Sequence, residues 1–187
     1  GVQTCALPIL DNVVETARLL QHDPNIQFLI VGEGNAKPGL VNRAKELGLN
    51  NVRFLPTQPK EVLPEMLGAA DLSLVTLNKQ LGQLNVPSKT YSIMASARPV
   101  LASVPLDSEI ASLINVANCG LGVPPEDPAS MAAAIQRLAK QPEQLRQFGA
   151  NGRRYVEENL SRQSLTAKYN ELLHEVAGAK KIGRAHV

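Results

Sequence analysis

The sequence predicts an α/β domain of the Rossmann-like, doubly wound kind, built on a parallel sheet. Three observations predict it. Short apolar runs recur along the chain: "QFLIVGEG", "NVRFLP", "LSLVTL", "RPVLAS" and "GLGVPP". Amphipathic stretches of helical period separate them, and such alternation means βα units. Each run is also apolar throughout, as a strand covered on both faces should be, and each ends in a polar or Gly/Pro-rich segment.

In chain order, "LDNVVETARLLQ" carries Val13, Val14, Ala17 and Leu20 on one helical face, with Asp11 placed to cap it. The strand "QFLIVG" follows. "KPGLVNRAKELGL" gathers Leu40, Ala44 and Leu47 and stops at Gly48. After "NVRFLP", "PKEVLPEMLGAA" reads as a short helix or a pair of turns. "LSLVTL" leads into a polar segment, Asn78 to Val86, with the character of a binding loop. A small-residue helix then starts at Pro87. "RPVLAS", the helix "SEIASLINVA" and "GLGVPP" come next. Asp127 before Pro128 is a start signal for "DPASMAAAIQRLAKQ". Pro142 to Val176 reads as two helices with no strand between them.

The two ends stand apart. "KIGRAHV" is encoded by AAG ATC GGA AGA GCA CAC GTC. The reverse complement of that DNA, read in another frame, encodes TCALPI, which is Thr4 to Ile9. The DNA looks like a sequencing-library adaptor. Residues 1–9 and 181–187 are therefore expected to be artefact and are kept out of the functional reading, leaving 10–180 as one domain, itself a fragment.

Composition narrows the function. Aromatic residues make up 3% of the 187 and there is no Trp, which disfavours a nucleic-acid platform. The formal net charge of +2 is near neutral. With Cys5 set aside, Cys119 stands alone, so no disulfide or cysteine zinc cluster is expected, and Cys119 reads as core. His22, His174 and His186 form no ligand pattern, and no Asp-x-Asp pair offers to hold a metal on a diphosphate, so no metal and no cofactor are expected.

Ligands of doubly wound sheets sit beyond the carboxyl ends of the strands. Three segments there bear on chemistry. In "VGEGNAK", Gly32 and Gly34 around Glu33 permit close backbone approach. Lys37 stands where the dinucleotide fingerprint needs a third glycine, which disfavours an oxidoreductase. A plain βα turn remains the other reading. In "NVPSK", Pro87, Ser88 and Lys89 open a helix. A lysine there opposes the helix dipole unless an anion, most often a phosphate, is present; a capping serine beside a solvated lysine is the alternative. In "LDSE", Ser108 and Glu109 sit at another helix start, either as an ordinary cap or as acceptors for sugar hydroxyls.

The runs "FLIVGEGNAKPGLVNRAKELGLNNVRFLPTQPKEVLPEMLGAADLSLV", "VPSKTYSIMASARPVLAS" and "CGLGVPPEDPASMAAAIQRLAKQPEQLRQFG" together resemble the C-terminal domain of family 4 glycosyltransferases with the GT-B fold. The branch that makes O-antigen and colanic acid, including fucosamine-type transferases, is the most similar. The resemblance implies a domain that binds a nucleotide-diphosphate sugar, with retention at the anomeric carbon. It implies an acceptor domain preceding this one in the same parent chain, and a polysaccharide or lipid-linked acceptor. It implies a cytoplasmic location, peripheral to the inner membrane through that missing domain.

The resemblance also assigns residues. The base would lie against Pro56, Thr57 and Gln58, after "VRFL". Ser88 and Lys89 would meet the diphosphate, with Lys89 the catalytic group that steadies the departing charge. The family's pair of glutamates aligns with Leu84 and Ser92, so both are absent, and Ser92 or Glu109 would take over ribose contacts. The family's strand order, 3-2-1-4-5-6, makes its first strand central. That strand precedes "LDNVVETA" and falls where the adaptor begins. The expectation is a gap beside "QFLIVG", or Val2–Leu7 filling the slot, and a fragment inactive by itself. A non-catalytic nucleotide-binding or regulatory module is the alternative.

Overall fold

A computed structural model describes residues 7–79 and 86–179. Helix α1 (Leu7–Leu19) is followed by β1 (Phe28–Val31), α2 (Lys37–Glu46) and β2 (Val52–Leu55). A 3-10 turn (Lys60–Val62) runs into the short α3 (Leu63–Gly68). Then come β3 (Ser73–Thr76), α4 (Ser88–Ala95), β4 (Val100–Ser103), α5 (Glu109–Ala117) and β5 (Gly120–Val123). Helices α6 (Pro128–Ala139), α7 (Pro142–Asn159) and α8 (Arg162–Ala179) complete the described chain.

Every pairing among the described strands is parallel, which confirms the α/β reading. The described strands form two sheets, β1-β2 and β3-β4-β5. The expected order puts its first strand between the two. The residues proposed to fill that slot, Val2–Leu7, lie outside the described residues except for Leu7, and Leu7 is helical. The expected caps divide as well. Asp127 does cap α6, its carboxylate accepting the Ser130 N–H at 3.0 Å. Asp11 caps nothing, because α1 already begins at Leu7. Pro8 sits where a proline suits a helix start, a signal set aside with the presumed artefact.

Helix α1 joins the two sheets. Its Val13 and Ala17, with Leu20 just beyond its end, share one apolar cluster with Phe28 of β1, Leu101 of β4, Val123 of β5 and Met131 of α6. On the other face of the three-stranded sheet, Val75, Val100 and Ala102 pack with Ile93 and Met94 of α4 and Ile110 and Ile114 of α5. Cys119 is fully buried there, as expected of a core residue. The expectation of strands covered on both faces thus holds for β3 and β4. It fails for the other sheet, where Leu29 is 55% exposed and Arg53 and Leu55 beside it are exposed too.

Helix α7 fixes the rear of α4. A Cβ on Gly149 would lie 2.1 Å from the Ala97 carbonyl oxygen, so only glycine lets α7 pass that close. Arg153 Nη1 donates to the Ala95 carbonyl at 3.0 Å. The carboxyl end of α4 is therefore tied down, and its amino end projects from the strand exits.

Candidate functional site

The parallel strands of each sheet release their loops at one edge. At the β1–β2 edge, Gly32 holds φ +139, a conformation costly for any residue with a Cβ. Its N–H donates to the Leu55 carbonyl at 3.2 Å, the last rung between the two strands. Lys37 reaches back over this rung. Its Nζ donates to the carbonyl oxygens of Gly32 and Leu55, each at 2.9 Å, and to Glu33 Oε1 at 2.7 Å. A cleft of about 170 Å³ lies alongside, lined by Gly32, Thr57, Gln58, Lys60, Leu63 and Met66, among others. The structure thus brings Gly32 together with Thr57 and Gln58, which the resemblance puts against the base, while Glu33 and Gly34 do not line this cleft. Pro56 borders them, its carbonyl accepting Gln58 Nε2 at 3.0 Å. Lys37 had been noted only as a missing glycine.

The start of α4 is built differently. Pro87, at φ −59 and ψ 134, turns the chain into the helix, and no side chain caps the first turn. No acidic residue lies in that turn. The free N–H groups and the helix dipole both favour an anion at such a place. Ser88, Lys89 and Ser92 are exposed along one edge of the helix, while Thr90, Ile93 and Met94 turn inward. Neither Ser88 nor Lys89 makes a side-chain hydrogen bond or ion pair with any described residue. The Thr90 hydroxyl, fully buried in the same turn, also lacks a partner. Leu84, aligned with the first family glutamate, lies outside the described residues.

At the β4 exit, Ser108 is buried and committed to the backbone. It caps α5 by accepting the Ala111 N–H at 3.4 Å, and its hydroxyl donates to the Pro105 carbonyl. Glu109, the next residue, is exposed and has no described partner. At the β5 exit Glu126 adopts φ +57, unusual for a residue with a side chain, and pairs with Lys79 from the β3 exit at 3.5 Å. None of the α4 or α5 residues lines the β1–β2 cleft. The sequence-assigned residues therefore form two groups, one on each sheet.

Titration follows these contacts. Hydrogen bonds from Arg18 and Arg43 hold the Glu15 carboxyl below its ordinary value, and Ser130 does the same for Asp127. Burial pushes the Cys119 thiol up to about 11, so it stays protonated and unreactive at neutral pH. Among the described residues no three His, Cys, Asp or Glu side chains converge on a metal-binding position.

Fold and site together define a doubly wound α/β domain whose polar residues cluster on its strand exits. Its family follows from comparison: residues 10–155 match the family described as Glycosyl transferases group 1, and the chain belongs to it. It is the C-terminal type of domain of GT-B glycosyltransferases. A probable glycosyltransferase, WbjE of Pseudomonas aeruginosa, is 26% identical over 173 residues, covering 92% of this chain and 42% of that protein. A putative colanic acid biosynthesis glycosyl transferase, WcaI of Escherichia coli K12, is 29% identical over 164 residues, covering 86% and 38%. The chain thus spans about two fifths of these relatives.

Solved structures agree on the fold. The C-terminal domain of the group 1 glycosyl transferase LpcC from Francisella tularensis superposes with a TM-score of 0.66 at 18% identity, covering 82% of this chain and 80% of that one. Anabaena HepE, solved in complex with UDP-glucose, gives 0.69 at 19% identity, covering 87% and 44%.

Proposed function

We propose that this domain holds the nucleotide-diphosphate sugar of a retaining glycosyltransferase acting on a cell-surface polysaccharide or lipid-linked acceptor. The acceptor would sit on a further domain of the same parent chain, on the cytoplasmic side of the membrane. No described helix is long and apolar enough to cross a membrane. The observation that carries this reading is the open start of α4: uncapped N–H groups, an unpaired Lys89 and a free Ser88 at one exposed point.

Negative charge builds on the diphosphate oxygens as the bond to the sugar breaks. Lys89, Ser88 and the α4 N–H groups stand ready to meet that charge, the electrostatic form of catalysis. The Thr57–Gln58 cleft takes the base, and Gly32, with Glu33 and Gly34 beyond it, forms its neighbouring wall. Glu109 and Ser92 are the candidates for the ribose and sugar hydroxyls. UDP and UDP-glucose are sensible first probes, because HepE was solved with the latter.

Titration of UDP, GDP and their nucleosides against the chain and its Lys89→Ala variant tests the assignment. A charge-assisted hydrogen bond to phosphate contributes about 1.5–3 kcal/mol. The variant should therefore bind diphosphate roughly tenfold to a hundredfold more weakly and nucleoside unchanged. Equal losses for diphosphate and nucleoside would mean that Lys89 acts through folding, and the phosphate assignment would fall.

A further inference from the structure

We propose that Lys37 is a positioning residue that locks the base-side wall of the donor cleft and does not itself bind phosphate. This rests on the reading that a nucleotide occupies the β1–β2 cleft. The argument begins with valence. An ammonium has three N–H donors, and those of Lys37 have three acceptors: the Gly32 and Leu55 carbonyls and the Glu33 carboxylate. No donor is left for a ligand. The charge is spent too, since Glu33 neutralises it and two carbonyl dipoles point at it.

What these bonds hold is specific. The Leu55 carbonyl also accepts the Gly32 N–H, so Lys37 fastens the rung at which β1 and β2 part. Beyond that rung the chain goes one way into Gly32–Gly34 and the other into Pro56–Gln58. Gly32 and Thr57 both line the cleft, so the separation of its walls depends on this rung. Gly32, at its positive φ, can take many conformations and needs an external restraint. Lys37 is also the first residue of α2, which no side chain caps. A cation there opposes the helix dipole, and the Gly32 and Leu55 carbonyls and Glu33 offset that conflict.

The test uses Lys37→Met, Lys37→Arg and Glu33→Gln in the 187-residue chain. Backbone amide exchange is followed by NMR without ligand, and uridine, UDP, guanosine and GDP are then titrated. Lys37→Met should speed exchange at Gly32 at least tenfold. It should weaken nucleoside and diphosphate by the same factor, about five- to twentyfold. Lys37→Arg, which keeps the charge and several donors, should restore most of both, and Glu33→Gln should show the same pattern more weakly. Should Lys37→Met fail to fold, the other two variants carry the comparison. Unchanged exchange at Gly32, or a loss confined to the diphosphates, would overturn the proposal. If the unsubstituted chain binds none of the four probes, the nucleotide reading fails, and the exchange rates alone still decide whether Lys37 fastens the rung.

Discussion

Lys37 and Lys89 occupy the same kind of position with opposite outcomes. Each lies in the first turn of a helix that follows a strand of a parallel sheet, and neither helix has a side-chain cap. Lys37 folds back onto the Gly32 and Leu55 carbonyls and a carboxylate four residues earlier. Lys89 stands exposed with no described partner, beside an equally free serine. A lysine at a helix start opposes the dipole unless acceptors meet it. In one case the fold supplies the acceptors, and in the other it leaves the place open. An unsatisfied cation is therefore the informative one, and position along the helix does not tell the two apart.

The largest effect expected from this contrast is charge reversal at Lys89. Lys89→Glu removes an attractive contact and puts a carboxylate against the diphosphate. It should weaken UDP or GDP by more than the hundredfold upper estimate for alanine, with the melting temperature unchanged or slightly raised, since Lys89 holds no part of the protein and a carboxylate suits a helix start. Calorimetric titration paired with thermal unfolding checks both halves. A fall in melting temperature of several degrees would break the contrast, because Lys89 would then be structural like Lys37.

Glu109→Gln comes next. Glu109 is exposed and unpartnered at the β4 exit, whereas the family's ribose-contacting glutamate aligns with Ser92 of α4. If it has taken the ribose, the amide should lose roughly tenfold in nucleoside and diphosphate affinity alike, as for one charged hydrogen bond. Lys89 variants should spare the nucleoside, so the two residues sort by ligand. A 2′,3′-dideoxynucleoside, with neither ribose hydroxyl, should bind both Glu109 forms equally.

Serines sharpen the contrast with smaller effects. Ser108 is buried and serves as a cap, whereas Ser88 and Ser92 are free. Ser108→Ala should cost about 0.5–2 kcal/mol of stability and leave affinity untouched. Ser92→Ala should leave stability untouched and cost at most the roughly 0.5–1.5 kcal/mol of one neutral hydrogen bond in affinity. Urea unfolding and titration on the same pair separate them.

These residues also show where sequence reasoning reaches and where it stops. The five strands and the helices between them were legible because burial imposes apolar runs and helical periods on side chains. Asp127 was legible because a cap is local, its acceptor three residues from its donor. The role of Lys37 was not, because one of its acceptors is a main-chain carbonyl 18 residues away. A carbonyl carries no residue identity, so no pattern marks it. Ser108 and Glu109 were read as one candidate pair. Only burial separates them, one side chain facing the backbone and the next facing solvent. The bare face at Leu29 and Leu55 was equally hidden, because an apolar strand looks the same whether or not something covers it.

The smallest expected effect concerns acid, and it separates the surroundings of the two lysines. Glu15 on α1 binds Arg43 of α2 at 2.9 Å and Arg18 at 2.7 Å, and these bonds depress its pKa below the ordinary 4.5. A carboxylate with a folded pKa below its unfolded one contributes stability that is complete above the unfolded value. That stability is lost as pH falls through the folded value. Asp127, held down by Ser130 at the start of α6, follows the same sign. Both act on the α1–α2–α6 side, where Lys37 belongs. The rear of α4 is held by the Arg153 guanidinium on the Ala95 carbonyl and by the close pass at Gly149, and neither contact includes a carboxylate. Lowering the pH below about 4.5 should therefore speed amide exchange in α1 and α2 before α4. Glu15→Gln should abolish the α2 part of that response. Both Glu15 links are partly solvent-exposed and screened, so the shift should be small and should shrink further in high salt. Exchange that rises first in α4 would place the acid-sensitive contact beside Lys89, and the division of the domain into a self-satisfied helix start and an open one would no longer hold.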